Sequence, residues 1–196
     1  MDIALTPVGS TPPLRADAAR NRARLLEAAA RLAEEHGAAN LTMDAVAAAA
    51  CVGKGTVFRR FGDRTGLLQA LLDHSEQRLQ AEFMNGPPPL GPGAPAVDRL
   101  HAFGPAVIRH EHTHRDLYLA AVPATGRRFE VPAYSLRLTH VAVLLRQAGA
   151  GGDVQPRALA LMGYLDSALI DHLLTRRGMS PERLEAGWHD LVSRLA

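Results

Sequence analysis

Residues 41–72 read LTMDAVAAAACVGKGTVFRRFGDRTGLLQALL, and this stretch decides the fold. Thr42 offers an N-cap hydroxyl to a short apolar helix expected over 43–50, with Asp44 in the first turn, where the helix dipole favours an acid. Met43, Val46, Ala47 and Ala50 fall on one side of that helix and form its buried stripe. Cys51, Val52 and Gly53 make a turn, and residues 54–61 form a second helix barely two turns long. A helix that short survives only by packing, so Val57, Phe58 and Phe61 are expected inside and Lys54, Thr56, Arg59 and Arg60 outside or on the flank. Gly62 ends it, and Asp63 caps a third helix, expected over 64–83, that carries Leu67, Leu68, Leu71 and Leu72. This is the layout of a helix-turn-helix: a short helix with basic residues on its outer face can enter a major groove while its neighbours hold its angle.

Upstream, residues 17–36 read as an amphipathic helix with Leu25, Ala29, Leu32 and Ala33 on one stripe and Arg20, Arg24, Arg31 and Glu35 outside it, ended by Gly37. Residues 1–16 are expected to be a flexible tail; an acid at position 2, scattered prolines and no basic flank argue against a signal peptide or anchor. Downstream, NGPPPLGPGAP at 85–95 is a loop, because proline removes donors and glycine adds chain entropy. Helices are then expected over 96–110, 115–122 and 132–147. A break at AGAGG (148–152) follows, and then helices over 155–177 and 181–195, the last capped by Ser180 with Pro181 at its first position.

Bulk properties agree with an all-α chain. Alanine and leucine dominate its 196 residues, 47% are hydrophobic and 21% charged, and no long alternating β-branched run appears. The expected organisation is a three-helix helix-turn-helix DNA-binding domain at 17–75 and a larger helical domain at 76–196. A net charge of only +2 excludes global attraction as the source of nucleic-acid binding. The charge is instead local: residues 54–64 hold four basic side chains and one acid, Asp63. A single cysteine, Cys51, excludes an internal disulfide and any cysteine-based metal cluster, which suits a reducing cytoplasm. No apolar run approaches the ~18 residues of a membrane span.

Taken as one ordered series, RLLEAAARLAEEHG, TMDAVAAAACV, KGTVFRRF and the leucines after it make residues 1–75 resemble the DNA-binding domain of the tetracycline-repressor (TetR) family. The resemblance implies an all-helical homodimer that places each third helix in a major groove. It also implies a C-terminal domain that carries the dimer interface and a small-molecule effector site, and a regulator, most often a repressor, released from a palindromic operator by its ligand. No cofactor and no membrane partner is implied. Five positions depart from the family pattern. Cys51 stands for a common glycine and is strained if its φ is positive, and Gly53 stands for serine. Phe58 replaces a tyrosine that gives phosphate a hydroxyl, while Arg60 and Arg64 replace histidine and lysine and keep or increase positive charge.

The expected DNA contacts are Thr42, Lys54, Gly55, Thr56, Phe58, Arg59, Arg60 and Arg64. Arg59 and Lys54 suit the acceptor pair of guanine, whereas Thr42, Thr56, Arg60 and Arg64 are assigned to phosphates. In the larger domain, Phe103, Val107, His110, Tyr118, Tyr134, Arg137 and Met162 combine apolar bodies with a few polar tips, the chemistry of a ligand pocket, although each alone serves equally as core. Leucines on the last two helices suit either a four-helix dimer interface or an intramolecular core.

His110 and His114 in HEHTH share a helix face, but nothing completes a metal site, and none is assigned. No nucleophile elbow, phosphate loop or HExxH appears, so a histidine- or metal-dependent enzyme ranks behind a non-enzymatic regulator. A dimeric DNA-binding protein without an effector is the nearer alternative.

Overall fold

The computed structural model describes residues 13–121 and 132–196, without the side chains of 13–16 and 119–121. Most of the expected tail and the last residue of the helix expected over 115–122 lie outside the described residues. Every regular element among the described residues is helical. The chain divides into two compact units, Met1–Leu71 and Leu72–Ala196, and α4 (Arg64–Asn85) runs from the first into the second.

In the first unit, α1 (Pro13–His36) starts before the expected Asp17, because a proline in the opening turn forfeits no helical hydrogen bond. Leu25, Leu26, Ala28 and Ala29 are its buried side, while Leu32 and Ala33 are half-buried. Gly37, with φ 81°, turns the chain into a single 3-10 turn (Ala38–Asn40). In α2 (Met43–Ala49) the cap is as its sequence dictates: the Thr42 side chain accepts from the Ala45 N–H at 3.1 Å, and Met43, Val46, Ala47 and Ala50 are buried. They share the unit's core with Val57 of α3 (Lys54–Phe61) and with Leu67, Leu68 and Leu71 of α4.

The second unit contains α5 (Ala96–Thr113), α6 (Arg115–Ala121), α7 (Pro132–Gln147), α8 (Val154–Tyr164), α9 (Ser167–Asp171), a π-helical turn (His172–Arg176) and α10 (Pro181–Leu195). Here α5 packs on α7 and α10, and α7 on α8, around Phe83, Leu100, Phe103, Ile108, Leu144, Leu145 and Trp188. Close approach of α5 to α10 depends on Gly104, where a Cβ would lie 2.2 Å from the Trp188 ring. The indole Nε1–H is satisfied by the Leu100 carbonyl at 2.8 Å, so a fully buried tryptophan leaves no orphan donor.

The single helix expected over 155–177 is corrected to three pieces. Asp166 is the reason: its Oδ1 accepts from the Ala168 and Leu169 N–H groups at 3.1 Å, capping a new helix instead of continuing the old one.

Candidate functional sites

The outer face of α3 is set by helical geometry. Val57 and Phe61 are four residues apart and face the unit's interior, Val57 fully buried and Phe61 half-buried. Lys54 and Phe58, also four apart, share the adjacent, exposed face. Phe58 was expected to pack inside; it is 41% exposed, because residue 58 lies about 100° around the helix from Val57. Its ring instead lies 5.8 Å from Lys54 Nζ.

Lys54 is also paired with Asp44 of α2, Nζ to Oδ2 at 2.7 Å, with both side chains largely in solvent. Arg59 Nη2 donates to Thr56 Oγ1 at 3.2 Å, and Arg60 is exposed and forms no ion pair among the described residues. At Gly55 an added Cβ would meet nothing within 4 Å, so that side of the helix is open.

Two of the residues assigned to phosphates also have structural roles. Thr42 caps α2 through its hydroxyl. Arg64 opens α4 and donates through Nε to the Leu41 carbonyl at 2.8 Å and through Nη2 to the Ala38 and Ala39 carbonyls at 2.9 and 2.8 Å. It thereby ties the 3-10 turn to the start of α4. Cys51 adopts φ 53°, the left-handed conformation that favours glycine, and its thiol is exposed.

In the second unit the structure brings three of the expected ligand residues, His110, Tyr118 and Arg137, around two carboxylates that the sequence reading did not select, Glu76 and Glu111. Arg137 Nη2 donates to both Glu76 oxygens at 2.8 and 2.7 Å, and its Nη1 to Glu111 Oε1 at 2.9 Å. His110 Nε2 lies 3.2 Å from Glu76 Oε1, and the Tyr118 hydroxyl donates to Glu76 Oε1 and, at 3.2 Å, to Glu111 Oε1. Four helices, α4 to α7, thus each contribute a polar side chain to one cluster.

Burial raises the Glu76 pKa, but the His110 hydrogen bond, the Arg137 charge and the Tyr118 hydroxyl outweigh it and hold the carboxyl at about 2. At Glu111 burial wins over Arg137, and the pKa is raised. Glu111 Oε2 and Arg137 Nε are buried without a hydrogen-bond partner among the described residues.

The signal for these carboxylates was a charge at a core position of an otherwise apolar stripe. Glu76 stands between Leu72 and Leu79–Phe83, Glu111 follows Phe103 and Val107, and Arg137 precedes Val141 and Leu144. The other expected pocket residues lie elsewhere: Phe103, Val107 and Met162 are in the unit's apolar core, and Tyr134 is half-buried against it. His114 stacks on His110 with ring centroids 4.4 Å apart, and its Nδ1 faces the His110 carbonyl at 2.9 Å.

Residues 25–71 match the family model of the bacterial regulatory proteins of the tetR family. None of the curated proteins matches the sequence. Among solved structures, a Rhodococcus sp. protein described as a TetR-family transcriptional regulator is 24% identical, with 90% of this chain and 98% of that one covered and a TM-score of 0.65. A TetR-family transcriptional regulator from Streptomyces coelicolor is 23% identical over 90% of this chain and 94% of its own, with a TM-score of 0.60. A Saccharomonospora viridis transcriptional regulator in complex with choline is 20% identical over 89% and 96%, with a TM-score of 0.61. These likenesses show a shared fold through both units, while the sequence match falls on the stretch that carries the exposed Lys54, Arg59 and Arg60. The first unit is thus similar in sequence to the bacterial regulatory proteins of the tetR family over residues 25–71, and the chain as a whole shares its fold with solved transcriptional regulators described as TetR-family.

Proposed function

We propose that the chain acts in the cytoplasm as a homodimeric repressor that binds a palindromic operator and is released by a small-molecule effector. The observation that supports it best is the outer face of α3, where Lys54, Arg59 and Arg60 are all exposed on a helix held from behind by Val57. Arg59 and Lys54 are the proposed readers of guanine edges; Thr42, Gly55, Thr56 and Arg60 are the proposed backbone contacts, with Phe58 packing beside them. Arg64 joins them through Nη1, which takes no part in its three carbonyl bonds.

A dimer supplies the second half-site, because one short helix rarely carries enough specificity. On α8, Leu159, Ala160 and Gly163 are exposed and leave an apolar face for the second copy, whereas Leu161, Leu165, Leu184 and Trp188 fill the unit's own core. An effector that favours a spacing of the two reading helices unlike the roughly 34 Å between successive major grooves weakens binding. The choline held by the Saccharomonospora regulator supports a small molecule in that role.

Titration of the full chain onto DNA from upstream of its own locus, at several salt concentrations, tests the reading. A specific complex whose affinity falls linearly in log–log salt is expected; no specific complex and no salt slope would sink it. One observation favours a second reading, a regulator with no effector: Phe103, Val107 and Met162 are at most 2% exposed, so that part of the unit is filled.

A further inference from the structure

We propose that Glu76, Glu111 and Arg137, with His110 and Tyr118 around them, are the polar end of an effector site that takes an organic cation bearing N–H donors, with Glu111 Oε2 as its acceptor. The inference rests on the reading of the second unit as an effector domain and names the chemical class it recognises.

Charge balance is the first support. Glu76 and Arg137 form a bidentate pair, and each neutralises the other. Glu111 is then a second carboxylate facing the same guanidinium, with its side chain only 3% exposed. The groups that face it are the Glu76 carboxylate on α4, the His110 ring on its own helix, the Tyr118 hydroxyl on α6 and the Arg137 guanidinium on α7. Of these only Arg137 is a permanent cation, so the ionised cluster carries one negative charge in excess when His110 is neutral.

Hydrogen-bond satisfaction is the second. Glu111 Oε1 receives Arg137 Nη1 and the Tyr118 hydroxyl, while Oε2 is buried with no partner among the described residues. A buried carboxylate oxygen in that state is destabilised unless something donates to it. Water can supply a hydrogen bond but not the missing positive charge; an ammonium or amidinium group supplies both. An anion fits less well, since Arg137 Nη1 and Nη2 and the Tyr118 hydroxyl already serve carboxylates and only Arg137 Nε is left as a donor, while an anion would add to the excess negative charge.

Protons follow from the same balance. Burial holds the Glu111 carboxyl above its usual range, so without a cation at Oε2 the carboxyl keeps its proton to higher pH than a free carboxyl does. A cation docking at Oε2 displaces this proton to solvent, and its affinity rises with pH through that range.

The test uses full-length protein without DNA, so its outcome is independent of whether the chain binds an operator. Melting curves are taken with two matched pairs, benzamidine against benzamide and benzylamine against benzyl alcohol. The expected result is a rise in Tm of about 5 °C or more with a charged member at roughly 100 times its Kd, none with its neutral isostere, and loss of the response in Glu111→Gln. Calorimetry of the wild type in two buffers of different ionisation enthalpy reads the released proton, and it decides the matter if the variant does not fold. Equal responses to charged and neutral members, a full response in a folded Glu111→Gln, binding without proton release below the raised Glu111 pKa, or no response to either cation would overturn the proposal.

Discussion

Arg137 holds two carboxylates at once, with Nη2 2.8 and 2.7 Å from the oxygens of Glu76 and Nη1 2.9 Å from Glu111. With side chains 8%, 12% and 3% exposed, all three are too buried for water to replace a lost partner. Arg137→Met leaves two carboxylates buried without their cation, and the expected loss is about 3–5 kcal/mol in urea denaturation. Adding Glu76→Gln and Glu111→Gln to Arg137→Met removes the stranded charges, so the triple variant is expected to recover part of that loss. A single variant as stable as wild type would mean the cluster is solvated.

His140 supplies a pH signature. Its ring lies against Phe83 and Phe103, with centroids at 4.6 and 5.3 Å, and burial, aided by the Arg99 charge, lowers its pKa from 6.5 to about 4. The unfolded chain therefore binds this proton at higher pH than the folded one. The contribution is complete above pH 6.5 and is lost as pH falls from 6.5 through about 4. His140→Phe, which also removes the unpartnered Nε2, should show a flatter stability profile across that window by chemical denaturation at stepped pH. Parallel profiles for the two proteins would refute the assignment.

On the proposed DNA-reading helix, Lys54 forms an exposed ion pair with Asp44, worth only about 0.2–1 kcal/mol, which DNA is expected to displace. Asp44→Ala is expected to raise non-specific DNA affinity by freeing Lys54 and removing a charge that repels phosphate. Arg60→Ala should weaken binding to all sequences alike and reduce the salt slope by about 1, whereas Arg59→Ala should relax sequence preference. Fluorescence anisotropy with operator and scrambled duplexes across a salt series separates these outcomes.

The turn before α3 carries measurable strain. Cys51 at φ 53° occupies a conformation that costs a non-glycine residue about 1–2 kcal/mol. Cys51→Gly should therefore stabilise the chain by about 1 kcal/mol in equilibrium unfolding and leave DNA affinity unchanged, since the thiol takes no part in the proposed contacts. Destabilisation would show that the side chain itself holds the turn.

Local chemistry made much of this protein legible before any tertiary information. Thr42, Gly37, Gly62 and Ser180 bound helices by caps and turns that depend on a few neighbouring residues, so the three helices of the reading head and the proline-rich loop read directly from sequence. The strain at Cys51 was equally local, a question of one φ angle. Two features were decided at longer range. Phe58 is a large apolar residue on a helix too short to bury every such residue, and only the placement of α3 against its neighbours settled that Val57 goes inside and Phe58 stays out. Glu76, Glu111 and Arg137 are separated by 35 and 26 positions, and any one of them alone is a charge interrupting an apolar stripe. Their meaning depends on the folded chain bringing them within hydrogen-bond distance, where each neighbour sets the charge state of the others.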